Sequence, residues 1–133
     1  MFKKVIQLMV LGAFIVPFTV GSAEAKECKV GEKAKVLWNG YHFQATLKAK
    51  KADKFCIHYD GWASSWDECV AAPRFKCTGG PAFKAGQKVE VEWKAAYYSA
   101  KIKSIKGNKY CITYVGWDSS WDECVGPQRV RQK

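Results

Sequence analysis

The stretch Gly61-Trp62-Ala63-Ser64-Ser65-Trp66-Asp67-Glu68-Cys69-Val70 returns 55 residues later as Gly116-Trp117-Asp118-Ser119-Ser120-Trp121-Asp122-Glu123-Cys124-Val125. Around it the match continues without a gap. Gly31 falls on Gly86, Val36 on Val91, Trp38 on Trp93, Ala45 on Ala100, Cys56-Ile57-His58-Tyr59 on Cys111-Ile112-Thr113-Tyr114, and Arg74 on Arg129. About half of roughly 45 aligned positions are identical, which marks a duplication rather than chance. The chain therefore holds two copies of one module of about 50 residues, near the lower limit for a core that folds without help.

Within each copy the hydrophobic period is two, not 3.6. Lys33-Ala34-Lys35-Val36-Leu37-Trp38 and Lys88-Val89-Glu90-Val91-Glu92-Trp93 alternate as first strands, placing Trp38 and Trp93 in the core. A second strand is expected from Phe43 to Lys50, with Ala45, Leu47 and Ala49 on one face, and from Tyr98 to Ser104 in the second copy. Ala52-Asp53 and Gly107-Asn108 are hairpin turns leading into third strands at 54–59 and 109–114, rich in aromatic and β-branched residues. Ser65-x-x-Glu68 and Ser120-x-x-Glu123 fit capping boxes for one helical turn. Short closing strands follow around Val70 and Phe75, and around Val125 and Val130. Five short strands per copy point to an all-β chain of two tandem, small five-stranded barrels, since closure removes exposed sheet edges. Thr78-Gly79-Gly80-Pro81 is a turn and linker signal, so the modules are expected at 26–77 and 85–133, joined by a connector at 78–84.

The first 25 residues read as an export signal. Met1-Phe2-Lys3-Lys4 is basic, Val5 to Val20 is almost wholly apolar, and Ala23-Glu24-Ala25 offers the small residues of a cleavage site. The apolar run is shorter than the roughly 20 residues of a membrane span, so no stable membrane insertion is expected after cleavage. The destination is a bacterial periplasm or the secreted fraction. Six cysteines then read as a disulfide framework. Cys56 and Cys69 recur as Cys111 and Cys124, whereas Cys28 and Cys77 have no cysteine counterparts and bracket the first module. The simplest pairing is Cys56–Cys69, Cys111–Cys124 and Cys28–Cys77, with cross-module pairing as the alternative. No Cys-x-x-Cys pair and no suitable spacing of His42 and His58 supports a zinc site, so neither metal nor cofactor is implied.

The pattern Tyr-x-Gly-Trp-x-x-x-Trp-Asp-Glu-x-Val, present as Tyr59 to Val70 and Tyr114 to Val125, resembles the chromo-barrel, or tudor-knot, family. The likeness spans 31–75 and 86–130. It departs from the family where Cys56 and Cys69 replace an apolar residue and a third aromatic. The family's small barrels bind methylated lysine or RNA. By position the resemblance implies aromatic cages of Phe43, Tyr59, Trp62 and Trp66 in the first module and of Tyr98, Tyr114, Trp117 and Trp121 in the second. Independently of it, converging aromatic faces hold a quaternary ammonium by cation–π attraction. The same rings can instead be core packing, and the sequence leaves both readings open. Asp60, where the second copy has Val115, is expected to put a carboxylate beside the first cage and favour a lower methylation state.

Charge offers a second function. The chain carries 22 basic and 12 acidic residues; without Lys3, Lys4 and Glu24 the mature chain keeps a net charge of about +9. Lysines gather at the second hairpin of both copies: Lys48, Lys50, Lys51 and Lys54, then Lys101, Lys103, Lys106 and Lys109. Their repetition suits an anionic partner such as RNA, DNA or an acidic envelope polymer. Asp67-Glu68 and Asp122-Glu123 lack an accompanying nucleophile, and His58 becomes Thr113, so loop bracing is expected of the acids and catalysis is not. The expectation is a monomeric, non-enzymatic binding protein. Its ligand is a methylated lysine or other quaternary ammonium, the alternative being a basic polyanion-binding or structural envelope protein.

Overall fold

In a computed structural model, residues 27–133 are described; the expected export signal lies outside them. The first module contains β1 (Lys33–Trp38), β2 (Tyr41–Lys51), β3 (Lys54–Tyr59), β4 (Glu68–Ala71) and β5 (Phe75–Cys77). The second contains β6 (Lys88–Trp93), β7 (Ala96–Lys106), β8 (Lys109–Tyr114), β9 (Glu123–Val125) and β10 (Val130–Arg131). Each forms a five-stranded antiparallel sheet, in the orders β4-β3-β2-β1-β5 and β10-β6-β7-β8-β9. In each module the two edge strands are consecutive in the chain, joined by a 3-10 turn at Ala72–Arg74 or Pro127–Arg129. A flat sheet would hold its edges about 19 Å apart. A three-residue 3-10 turn rises only about 6 Å. The sheet must therefore roll up. Phe55 of β3 stacks on Phe75 of β5 at 4.2 Å across the resulting seam.

The β1–β2 turn is Asn39-Gly40, with φ of 53° and 84°, the left-handed pair that suits a two-residue hairpin. It extends β2 back to Tyr41, beyond the Phe43 start that alternation predicts. A register shift between Leu47 and Ala49, repeated between Ile102 and Ser104, takes Ala49 out of the expected one-face series. Such bulges bend a strand, which helps the sheet to curl. They fall at Lys48 and Lys103, whose amines reach Asp67 and Asp122.

Val36, Ala45, Leu47, Ile57 and Val70 fill the first core; Val91, Ala100, Ile102, Ile112, Val125 and Val130 fill the second. Trp38 and Trp93 do not belong to either. Trp38 is 43% exposed and Trp93 half-buried. They point to the core side of their strands, as alternation requires, but as last residues they stand at the barrel's end. The connector is also partly core. Ala82 and Phe83, within 78–84, are buried in the second module, Phe83 completely.

The bridges are Cys28–Cys77, Cys56–Cys69 and Cys111–Cys124, all within modules. Cys56 faces Cys69, and Cys111 faces Cys124, in direct cross-strand register. Three bridges suit an oxidising compartment. Among the described residues no helix is long and apolar enough to cross a membrane.

The two barrels share a polar seam. His42 N–H donates to the Gln132 carbonyl at 2.7 Å, and Gln132 N–H returns the bond at 3.0 Å. Gln44, buried on β2, accepts from the Ala82 N–H at 3.1 Å and from the Tyr110 hydroxyl. Its amide donates to Asp60 at 2.8 Å. Every polar atom of this buried amide thus has a partner, as the low-dielectric interior demands.

Candidate functional site: two aromatic cages

The Gly-Trp turn after β3 and the 3-10 turn at Ser64–Trp66 bring Trp62 and Trp66 over the open end of the first barrel. There they meet Trp38 from the end of β1 and Phe43 from β2. Successive ring centroids lie 5.9 Å apart for Trp38–Trp66, 5.8 Å for Trp66–Trp62, 6.3 Å for Trp62–Phe43 and 6.3 Å for Phe43–Trp38. The four rings form a closed circuit of edge-to-face contacts, the geometry their quadrupoles prefer. Tyr59 lies beneath, 6.4 Å from Phe43. The rings lie at graded depth. Phe43 and Tyr59 are buried and make the floor, Trp62 is half-buried, and Trp38 and Trp66 form an exposed rim. Trp38 is a wall that the strand pattern assigns to the core.

The cavity between these rings holds about 160 Å³, with Tyr97 and Arg131 of the second module also lining it. That is below the roughly 300–1,000 Å³ of a site for a drug-sized molecule, so it suits a head group. The second cage repeats the plan with Trp93, Tyr98, Tyr114, Trp117 and Trp121 around about 70 Å³. Trp117 and Trp121 stand 5.3 Å apart, and Trp93 lies 5.8 Å from Trp121 and 6.3 Å from Tyr98.

The floor is fixed from below in both copies. Tyr59 donates its hydroxyl proton to Glu68 at 2.6 Å, and Glu68 is held by Arg74 at 2.7 Å. Arg74 in turn donates to the Leu37 carbonyl at 2.8 Å, next to Trp38. The second module repeats this through Tyr114, Glu123, Arg129 and the Glu92 carbonyl. Burial, reinforced by the glutamate, pushes the Tyr114 hydroxyl up to about 12 and Tyr59 higher still, so each floor ring stays neutral at ordinary pH. The Arg74 hydrogen bond holds Glu68 below the usual carboxylate range.

Asp67 bonds Lys48 at 2.7 Å and lies 2.7 Å from His58 Nδ1; Asp122 bonds Lys103 at 2.8 Å. These acids brace the loop, as expected, but Glu68 and Glu123 do not form the expected capping boxes. The 3-10 turn at Ser64–Trp66 has no side-chain cap, and at Ser119–Trp121 the cap is Asp118, which accepts from the Ser120 N–H at 3.0 Å. A charged arginine and a phenol outcompete the backbone for each glutamate.

Asp60 is not beside the cage. Its carboxylate is buried and accepts from Lys33 at 2.7 Å, Thr46 at 2.7 Å and Gln44 at 2.8 Å. Burial alone would raise its pKa, but these three donors together hold it below the usual range. It serves the seam between modules. Among the described residues no carboxylate lines the first cavity, so the expected tuning toward lower methylation states lacks its acceptor.

The lysines divide. Lys48 and Lys103 are committed to Asp67 and Asp122, and Lys50 lies 3.6 Å from Glu27. Lys51, Lys54, Lys101, Lys106 and Lys109 are exposed.

No protein-family model matches this chain, and no curated protein does. The chromo-barrel likeness accordingly rests on the motif residues alone.

Gly61 and Gly116 set the direction of the tryptophan turns, with φ of 84° and 85°. A Cβ on Gly116 would meet nothing within 4 Å, whereas one on Gly61 would come 2.8 Å from Gln128 Cβ. Gly116→Ala is expected to cost about 1–2 kcal/mol from left-handed strain alone. Gly61→Ala should cost about 1 kcal/mol more, because overpacking is added. Urea unfolding of the two variants checks the order, and equal midpoints would contradict the contact.

Proposed function

We propose that this chain is an exported, non-enzymatic binding protein whose cages take a quaternary ammonium group, such as the head of trimethyllysine, by the mode its motif resemblance implies. The closed circuit Trp38–Trp66–Trp62–Phe43 carries the reading. Each ring face in such a site contributes about 0.5–2 kcal/mol toward a cation. A fully methylated head brings no N–H needing an acceptor, and among the described residues this cavity offers no carboxylate to receive one. It is also weakly hydrated, so entry costs little solvation. Two linked cages gain avidity on a target that repeats its methylated group.

Titration of the oxidised protein with a trimethyllysine peptide, followed by tryptophan fluorescence, tests this against a neutral neopentyl isostere of the same shape. Selective binding of the cation supports the cage; equal binding of both would reduce it to an apolar dent. Trp38→Ala should weaken the first site by about 5- to 30-fold, the equivalent of one lost ring at about 1–2 kcal/mol. Its exposure predicts an intact fold, and unchanged affinity would remove Trp38 from the site.

A further inference from the structure

The first cage differs from the second by a wall that the duplication does not supply. Arg131, from the last strand of the second module, lies between Tyr41 of the first module and Tyr97 of the second. Its guanidinium carbon is 3.7 Å and 3.5 Å from the two ring centroids. Its Nε donates to Glu90 at 2.8 Å. A planar group covered on both faces can be approached only in its own plane, and one edge of that plane is taken. Among the described residues the two terminal nitrogens have no hydrogen-bond partner, which leaves their N–H groups for a ligand. Both Arg131 and Tyr97 line the cavity that holds the first cage.

A fixed guanidinium beside a cation site disfavours a bare cation. It favours a guest that brings its own anion, since arginine presents a fork matched to carboxylate and phosphate. We propose that the first cage is a composite site for a zwitterion, with the quaternary ammonium among the rings and the carboxylate or phosphate on Arg131. This rests on the cage reading and narrows its ligand class. The second cage supplies an internal control. Among the described residues its lining holds no arginine. The repeat counterparts of Arg131 and Tyr41 are Lys76, exposed on β5, and Ala96.

The test is calorimetric titration of the oxidised protein carrying Trp117→Ala, which weakens the second cage so that the first carries most of the signal. Glycine betaine and phosphocholine are compared with choline and tetramethylammonium. The zwitterions should bind about 10-fold or more tightly than the bare cations, the worth of one charge-assisted pair. The arms also distinguish carboxylate from phosphate. Arg131→Gln should abolish the preference while leaving choline binding equal or stronger, and Arg131→Lys, which keeps the charge but not the fork, should reduce it. If Arg131→Gln fails to fold, the Arg131→Lys comparison decides. In Trp38→Ala protein, where the second cage carries more of the signal, the zwitterion preference should shrink. Equal binding of betaine and choline at the first cage overturns the composite site and leaves the cage reading standing. So does a preference that survives both Arg131 variants. Failure of every quaternary compound to bind overturns both.

Discussion

Phe83→Ala is expected to destabilise the second module by about 3–5 kcal/mol, the usual cost of emptying a fully buried phenylalanine site. Phe83 has no exposed surface, and its ring meets Tyr110 edge-on at 5.6 Å. Its N–H also donates to the Tyr110 hydroxyl at 3.2 Å. That hydroxyl bonds Gln44 in the first module, and Gln44 holds Ala82. Truncation therefore opens a cavity next to the seam, where a loosened Tyr110 leaves a buried amide short of a partner. A domain of this size holds about 5–15 kcal/mol at most, so the loss is a large share of the total. The urea midpoint, read by circular dichroism, should fall sharply, while Val30→Ala at a 65%-exposed site should leave it nearly unchanged. A loss below about 1 kcal/mol would return residues 78–84 to the role of a plain connector.

How much of this was legible depends on what repetition can report. The duplication fixes the strands, the 52–53 and 107–108 turns and the cross-strand cysteine pairs, because each is stated twice in the sequence. Period-two alternation gives the face a side chain takes but not its depth. Trp38 and Trp93 thus look like core, although the barrel ends beneath them. The Gly79-Gly80-Pro81 signal marks a real bend, yet it hides Phe83, which stands 55 residues from Cys28 and occupies the same place in its module. The seam is least legible of all. Tyr41, Gln44, Tyr97, Arg131 and Gln132 each differ from their repeat counterparts, and no periodicity within one sheet announces a partner in another. What the copies share builds most of each cage. Where they diverge, they build the contact between barrels.

Cys28 and Phe83 stand at equivalent positions of the repeat. The two modules close the same corner by different means. The first uses the Cys28–Cys77 bridge; the second uses the Phe83 ring, and Gln132, at the position matching Cys77, pairs with His42 across the seam. Replacing Cys28 and Cys77 together by alanine is expected to cost about 4 kcal/mol, the chain-entropy value for a loop of about 50 residues. The shorter Cys56–Cys69 loop should cost about 3 kcal/mol on removal. Because Ala34 pairs with Cys77 at one end of β1 and Trp38 pairs with Tyr41 at the other, the first bridge is remote from the cage. Its loss should lower the thermal midpoint more than loss of Cys56–Cys69 does. Ligand affinity of the still-folded protein, measured well below that midpoint, should stay within about twofold of the parent, since distant sites act independently. A cage that fails while circular dichroism still reports a folded barrel would show that the bridge shapes the aromatic end as well. In that case the module is not a rigid scaffold with a separable site, because its fold and its pocket would be stabilised by the same cross-link.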